Sequence, residues 1–564
     1  MSYLKGYKFR AFMGVFFKFV EAVFELLLPL IMVYLIDVAL LAPDFTLVYK
    51  LVFLMFLMSV LGYLASVTCQ YNASVVSQGV GGQVRSALMK KINSFSSSEM
   101  NKIGASTLVN RMIVDVKQLE LMVAMTIRLA VRAPLLMIGS LFAMRRINAQ
   151  IARTLLMFFP LFIVVILIFM GLSLFLYRRM QDQLDTLMNK VLEFLSGIRI
   201  VRAFSRVDDE LVTMHHLNTD LSKKTKHMGI ASTLSSPITM LLMNIVMLVL
   251  IYQGAGFINT GSMTQGQMVA IINYCTQLVL ALVVFMNLVL IYARGISATL
   301  RLKEVLTMTP EIQNKEDAIT KLDKDITIHF ENVSFSYPDE KRKIIDNMSF
   351  IIKPNSYVGF IGLTGSGKTT IMHLLMRYYD VDEGAIYLND VNIKDIDLKT
   401  LRNTIGFATQ TSGFFKDTLK ENVKMGRDVD VTRALTIAQG NEILDKGLKS
   451  MIEAGGKNLS GGQKQRVNIA RALASNPSVL ILDDSLSALD YLTDKQLRQS
   501  LEDNFAHMSR LVITQRTSSL VDADTIYVIN KGRLEDAGTH EKLLTSNKLY
   551  RDIHQTQIRG DEHA

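Results

Sequence analysis

Across 564 residues the chain has two cysteines, Cys69 and Cys275, and both lie inside apolar segments. That excludes a disulfide framework and a thiolate metal site. A secretory signal pattern is also missing: no small-residue cleavage motif follows the first hydrophobic run, so this run is expected to remain as a spanning helix. The formal net charge of +10 does not point to nucleic acid, because basic cytoplasmic loops are the ordinary source of such an excess in a membrane protein, and no nucleic-acid partner is expected. What the chain has in quantity is apolar side chain, 50% of its residues, which implies a part embedded in a lipid bilayer. The length exceeds what one core organises, so at least two domains are expected.

Six apolar stretches, 13–35, 51–68, 121–144, 154–177, 238–258 and 268–293, each approach the roughly twenty residues a spanning helix needs. Lys5, Lys8 and Arg10 precede the first, whereas residues 42–49 and 259–266 carry almost no positive charge. The N-terminus is therefore expected in the cytoplasm and those two loops outside, although Arg145, Arg146 and Arg153 would then face outward. The inner connections, 70–120 and 178–237, are charged, helix-compatible and poor in Pro and Gly. Structureless loops of that length are uncommon, so they are expected to be extensions of the spanning helices, turning near 96–102 and 205–209. Lys18, Glu21 and Glu25 share one face of the first span, where charges either mark a pathway or pair structurally. Many of the 31 methionines fall in the spans, as a pliable cavity wall or as ordinary apolar filler. The sixth helix should run on to about Thr307, and Pro310 opens a polar linker. The expected division is a transmembrane domain at 1–308, a linker at 309–324 and a second domain at 325–564.

In that second domain short β-rich runs alternate with helical patterns, as in an α/β fold. An apolar strand at 357–361 leads straight into Gly362, Thr364, Gly365, Ser366, Gly367, Lys368, Thr369 and Thr370. Glycines let the backbone wrap so that its N–H groups point at phosphates, Lys368 meets their charge, and the Thr369 hydroxyl ligates Mg²⁺. A second apolar strand, 479–482, delivers Asp483 as a magnesium carboxylate and Asp484 as the residue to orient or deprotonate a water. Ser460, Gly461, Gly462 and Gln463 open another helix and form a second anion device. One phosphate loop does not need both, so two such domains facing head to tail are expected. The fold class is thus a membrane α-helical six-span domain followed by an α/β P-loop nucleotide-binding domain.

Taken in order, these residues resemble the ATP-binding cassette proteins, and six spans followed by one nucleotide domain look like an exporter-type half-transporter. The resemblance implies ATP and Mg²⁺ as cofactors. It implies that Tyr337 stacks on adenine, that Gln410 links Mg²⁺ and water to the membrane half, and that Glu453 is the exporter-type acidic loop residue. Residues 460–463 resemble the signature motif and 487–490 the loop that crosses a dimer interface. Residues 104–115 and 193–204 are similar to the cytoplasmic-loop patterns beside the family's coupling helices.

Two departures carry more than the matches. The family's catalytic glutamate is replaced by Asp484, and its switch histidine by Gln515. Aspartate is one methylene shorter, leaving its carboxylate about 1 Å short of the water, a displacement that can cost roughly a hundredfold. Glutamine has no charge to offer a γ-phosphate. Both changes act on this chain's own nucleotide, whereas 460–463 would act on a partner's. The resemblance is therefore to the degenerate-site half of heterodimeric bacterial multidrug exporters, in the cell membrane, with a second, non-identical half-transporter as partner. The substrate would be a small amphipathic compound, cationic if Glu21 and Glu25 line its path. A self-sufficient homodimeric lipid or peptide exporter and an ATP-gated regulatory subunit are the alternatives.

Overall fold

The computed structural model describes residues 2–40, 45–338, 340, 342–411, 413–487, 489–505 and 507–561. Of the loop expected at 42–49, residues 42–44 lie outside the described set, and the rest open a helix. Contacts divide the chain into one unit of residues 1–92 and 106–308 and another of residues 93–105 and 309–564.

The first unit is helical. Its helices are α1 (Lys8–Tyr34), α2 (Phe45–Ile92), α4 (Ala105–Asn110), α5 (Val116–Leu129), α6 (Arg132–Ile147), α7 (Ala149–Ser196), α8 (Ile198–Ala203), α9 (Val207–Asn259) and α10 (Gln265–Thr307), while α3 (Ser97–Ile103) groups with the second unit. Among the described residues, six helical stretches are long and apolar enough to cross a membrane: Tyr3–Ala39, Phe45–Ile92, Ala105–Ile147, Ala149–Ser196, Val207–Asn259 and Gln265–Thr307. Hydropathy reads only the bilayer-deep part of each. The helices run on into polar sequence, and at 1.5 Å per residue the 48 residues of α2 reach about 70 Å. The turns expected near 96–102 and 205–209 fall at residues 93–96 and 204–206, beside α3 and α8.

The third span loses a hydrogen bond part-way along but stays helical, Ala130 and Val131 keeping right-handed helical dihedrals. α5 ends at Leu129 and α6 begins at Arg132, because Pro134 lacks the N–H that would bond the Ala130 carbonyl. After α6 a single extended residue, Asn148, reverses the chain, and its carboxamide oxygen caps α7 through the amides of Gln150 and Ile151. Arg145 and Arg146 therefore sit in the last turn of a helix and Arg153 in the first turn and a half of the next.

Two buried carboxylates in this unit are paired across helices. Asp115, 3% exposed, receives Arg111 from its own turn and Arg301 from α10. Glu120, equally buried, accepts Arg85 of α2 at 2.7 Å, and its carboxylate lies against Gly81, where a Cβ would come within 1.9 Å of Oε1.

The second unit carries a six-stranded sheet. In chain order its strands are β1 (Tyr357–Ile361), β2 (Ile405–Ala408), β3 (Val479–Asp483), β4 (Ser509–Ile513), β5 (Thr525–Asn530) and β6 (Arg533–Gly538), and they lie in space as β6-β5-β1-β4-β3-β2. The pairs are parallel except β5–β6. β1 and β3 are buried along their full length, which is why each reads as an unbroken apolar run instead of an alternating one. Two hydrophobic clusters sandwich the sheet, one packing Val467, Ile469 and Leu473 against Leu480 and Leu482, the other packing Ile371 and Leu375 against Phe360 and Ile481. A separate antiparallel sheet contains Ile328–Phe335, Ile345–Ile352, Glu383–Leu388 and Val391–Asn392.

Candidate functional site

The C-terminal ends of β1, β3 and β4 point the same way, and the loops leaving them meet, as ligand-binding loops do in open α/β sheets. From β1 the chain turns at Gly362, where a Cβ would sit 2.1 Å from the Ile529 carbonyl oxygen of β5. It enters helix α11 (Lys368–Leu375) through Gly367, whose φ of 101° is open to glycine and strained for other residues. The loop closes on its own lysine: Lys368 Nζ donates to the carbonyls of Gly362 at 2.8 Å and Leu363 at 2.9 Å. Burial pushes the Lys368 amine below its usual value, opposed by Asp483 and Asp484. A buried cation held by two carbonyls and the Ser366 hydroxyl, at the mouth of a glycine-rich loop, fits a polyphosphate, which would supply negative charge.

Asp483, 2% exposed at the end of β3, accepts from Thr369 Oγ1 at 3.1 Å. Burial pushes its carboxyl above the usual range, and the Thr369 hydrogen bond pulls the other way. A hydroxyl and a carboxylate held side by side are the oxygen donors a hard cation takes. Asp484 turns with φ 48°, its N–H on the Ile513 carbonyl, and its carboxylate receives Gln410 Nε2 at 3.3 Å. Gln410 is held from behind by helix α12 (Gly461–Leu473), where Gln465 donates to the Gln410 carbonyl and Asn468 to that of Thr409. Beyond β4, Gln515 Nε2 approaches Thr364 Oγ1 at 3.4 Å. Tyr337 reaches the same place from the antiparallel sheet, its hydroxyl 3.1 Å from Thr370 Oγ1.

Tyr337, Thr364, Gly365, Ser366, Gly367, Lys368, Thr369, Thr370, Gln410, Asp483, Asp484 and Gln515 thus line one cavity of about 300 Å³. Gly362 shapes its floor without lining it. Ser460, Gly461, Gly462 and Gln463 do not line it; they form the N-terminus of α12. There the Ser460 hydroxyl accepts from Gln463 N at 3.2 Å and the Gln463 side chain accepts from Ser460 N at 3.1 Å, a complete capping box. Gln463 Nε2 also donates to the Glu442 carboxylate, which Arg466 approaches at 3.1 Å. The Gln463 hydrogen bond, and then the Arg466 charge, hold the Glu442 carboxyl below its usual range. Glu453 is exposed, its N–H on Asn458 Oδ1. In the loop 487–490, residue 488 lies outside the described set, and the Ser487 carbonyl accepts Arg516 at 2.8 Å.

Two sets of contacts had no signal in the sequence. Tyr379 packs edge-on against Tyr337, ring centres 5.2 Å apart, while its hydroxyl accepts Asn101 of α3 at 3.1 Å. Glu99 of the same short helix accepts the backbone N–H of Glu311 at 2.6 Å. The second set belongs to helix α13 (Lys548–Asp561). Gln557 donates to the Gln515 carbonyl and accepts from the Thr517 amide and hydroxyl, each at 2.9 Å, and His554 Nδ1 lies 2.8 Å from the same hydroxyl. None of these partners is distinctive by residue type or spacing, so only the fold reveals them.

Known proteins align with both units. Residues 11–282 match the family described as ABC transporter transmembrane region, and residues 345–487 match the family described as ABC transporter. The uncharacterized ABC transporter ATP-binding protein YfiB of Bacillus subtilis is 34% identical over 565 residues, 99% of this chain and 98% of that protein. The probable multidrug resistance ABC transporter ATP-binding/permease protein YheI of the same organism is 33% identical over 389 residues, 68% of this chain and 66% of YheI. The solved structure of a bacterial Atm1-family ABC exporter with ATP bound superimposes with a TM-score of 0.82 over 97% of this chain and 98% of that one, at 22% identity. The chain therefore belongs to the ABC transporter family: it is an exporter-type half-transporter, with a six-helix membrane region and an ATP-binding, ATP-hydrolysing region fused in one polypeptide.

Proposed function

We propose that this chain is the less hydrolytic half of an asymmetric pair that moves small amphipathic compounds out of the cell. It would sit in the cell membrane with its N-terminus and nucleotide region in the cytoplasm. The observation that carries this reading is the mixture inside one cavity: Lys368, Thr369 and Asp483 are intact, but Asp484 and Gln515 stand where the family has glutamate and histidine. Tyr337 would stack on adenine, and the loop from Gly362 to Thr370 would hold the phosphates. Thr369, Asp483 and Gln410 would hold Mg²⁺, which when bound offsets charge on the β- and γ-phosphates. The short Asp484 side chain, engaged by Gln410, is poorly placed to take a proton from water, and Gln515 brings no charge. Residues 460–463, preorganised by their capping box and outside this cavity, would be lent to the nucleotide of a second, non-identical ABC half-transporter.

The multidrug resistance in YheI's name supports the substrate class. The test is ATPase activity of this chain alone, of the chain with the half-transporter encoded beside it, and of that pair with the partner's catalytic glutamate changed to glutamine. The pair should be active, and the chain alone and the altered pair nearly inactive. Full activity of the chain alone would instead favour a homodimeric exporter using Asp484 as its base.

A further inference from the structure

Among the six apolar stretches, charged side chains occur only in the first and third: Lys18, Glu21 and Glu25 on α1, and Arg128 and Arg132 flanking the junction between α5 and α6. That is three cations against two carboxylates. Both carboxylates are already engaged by cations within the chain. Glu21 accepts Lys18 Nζ at 2.8 and 2.7 Å, and Glu25 accepts Arg132 on both oxygens at 3.0 Å. Carboxylates satisfied this way have little left to offer a cationic ligand.

The excess charge is on Arg128. Its Nη2 donates to the Ser74 hydroxyl at 2.7 Å and the Gln70 carbonyl at 3.4 Å, both neutral, and its Nε is buried with no hydrogen-bond partner among the described residues. Arg128 is half-buried, and its guanidinium keeps its proton at any ordinary pH, so the charge stays. Its partners Gln70 and Ser74 lie just past the end of the second apolar stretch, so Arg128 sits at the edge of the spans, where basic pockets between spanning helices take anionic headgroups. The Arg132 and Glu25 side chains remain 28% and 31% exposed, so the cluster is reachable.

We propose that Arg128, beside Ser74 and Arg132, binds the carboxylate or phosphate headgroup of an amphipathic anion, and that this site biases the transporter toward anionic cargo. The cargo role rests on the exporter reading above; the binding site does not. Two sources share this headgroup chemistry, an anionic bilayer lipid and an amphipathic anion arriving from the cytoplasm.

The full chain in phosphatidylcholine nanodiscs, without nucleotide, can be titrated with 11-(dansylamino)undecanoic acid and with the trimethylammonium probe of the same chain length. The acid should bind about tenfold more tightly or better, one unpaired-charge contact being worth roughly that factor. Arg128→Gln should reduce the acid to the level of the ammonium probe, and Arg128→Lys should restore part of the preference, with retained Mg-ATP affinity in each variant confirming that it is folded. Equal binding of the two probes, or an Arg128→Gln protein that still prefers the acid, overturns the proposal. Competition by added phosphatidylglycerol assigns the site to a bilayer lipid, and its failure to compete assigns the site to a soluble anion. Because binding is read without ATP, an absence of transport leaves this result standing.

Discussion

Asp484 occupies a left-handed turn with its N–H fixed on the Ile513 carbonyl, so its carboxylate cannot move forward by shifting the backbone. Only side-chain length is free to change. Asp484→Glu should therefore raise this chain's own ATP turnover by roughly ten- to a hundredfold, the range a 1 Å correction in placing a base can supply, with little change in ATP affinity. Phosphate release by the purified chain measures it, and an unchanged rate would locate the deficit at Gln515 instead. The same residue marks where reading the sequence stops. That Asp484 and Gln515 depart from the pattern is visible in the letters. That Gln410 already engages Asp484, while α13 holds the Gln515 backbone, is not, since Gln557 and His554 belong to no spacing that precedes the fold.

At the scale of elements, periodicity and hydropathy located all six spans but not their ends. A helix that leaves the bilayer keeps its backbone and changes its composition, so 51–68 reads as the span while the helix is Phe45–Ile92. The third span was legible as apolar, but the one-residue reversal at Asn148 was hidden because Arg145, Arg146 and Arg153 look like a loop. Close approach between helices was equally silent. Gly81 of α2 looks like any helix-weakening glycine until Glu120 of α5 is found against it. Gly81→Ala must displace the carboxylate that holds Arg85, and overpacking of this kind costs about 1–3 kcal/mol. Thermal unfolding in detergent should show a lower midpoint for this variant, whereas Gly82→Ala, with open space around its added carbon, should match the parent or exceed it.

For the whole molecule, the asymmetry proposed for the pair has a stoichiometric consequence. Two nucleotides would bind, but only the one on the partner's phosphate loop would turn over quickly. Vanadate with Mg-ATP should therefore trap about one nucleotide per pair, and photolabelling should place it on the partner chain. Trapping on this chain, or of two nucleotides, would contradict the division of labour. The helix that grips residues 515–517 bears on how the molecule is made. Helix α13 follows every nucleotide motif in the chain, yet it supplies Gln557 and His554 to the loop after β4. A nascent polypeptide can thus thread all six spans and complete its phosphate loop while the switch loop still lacks its brace. The motor would be armed only when synthesis has passed residue 557, after the membrane part it drives is already in place.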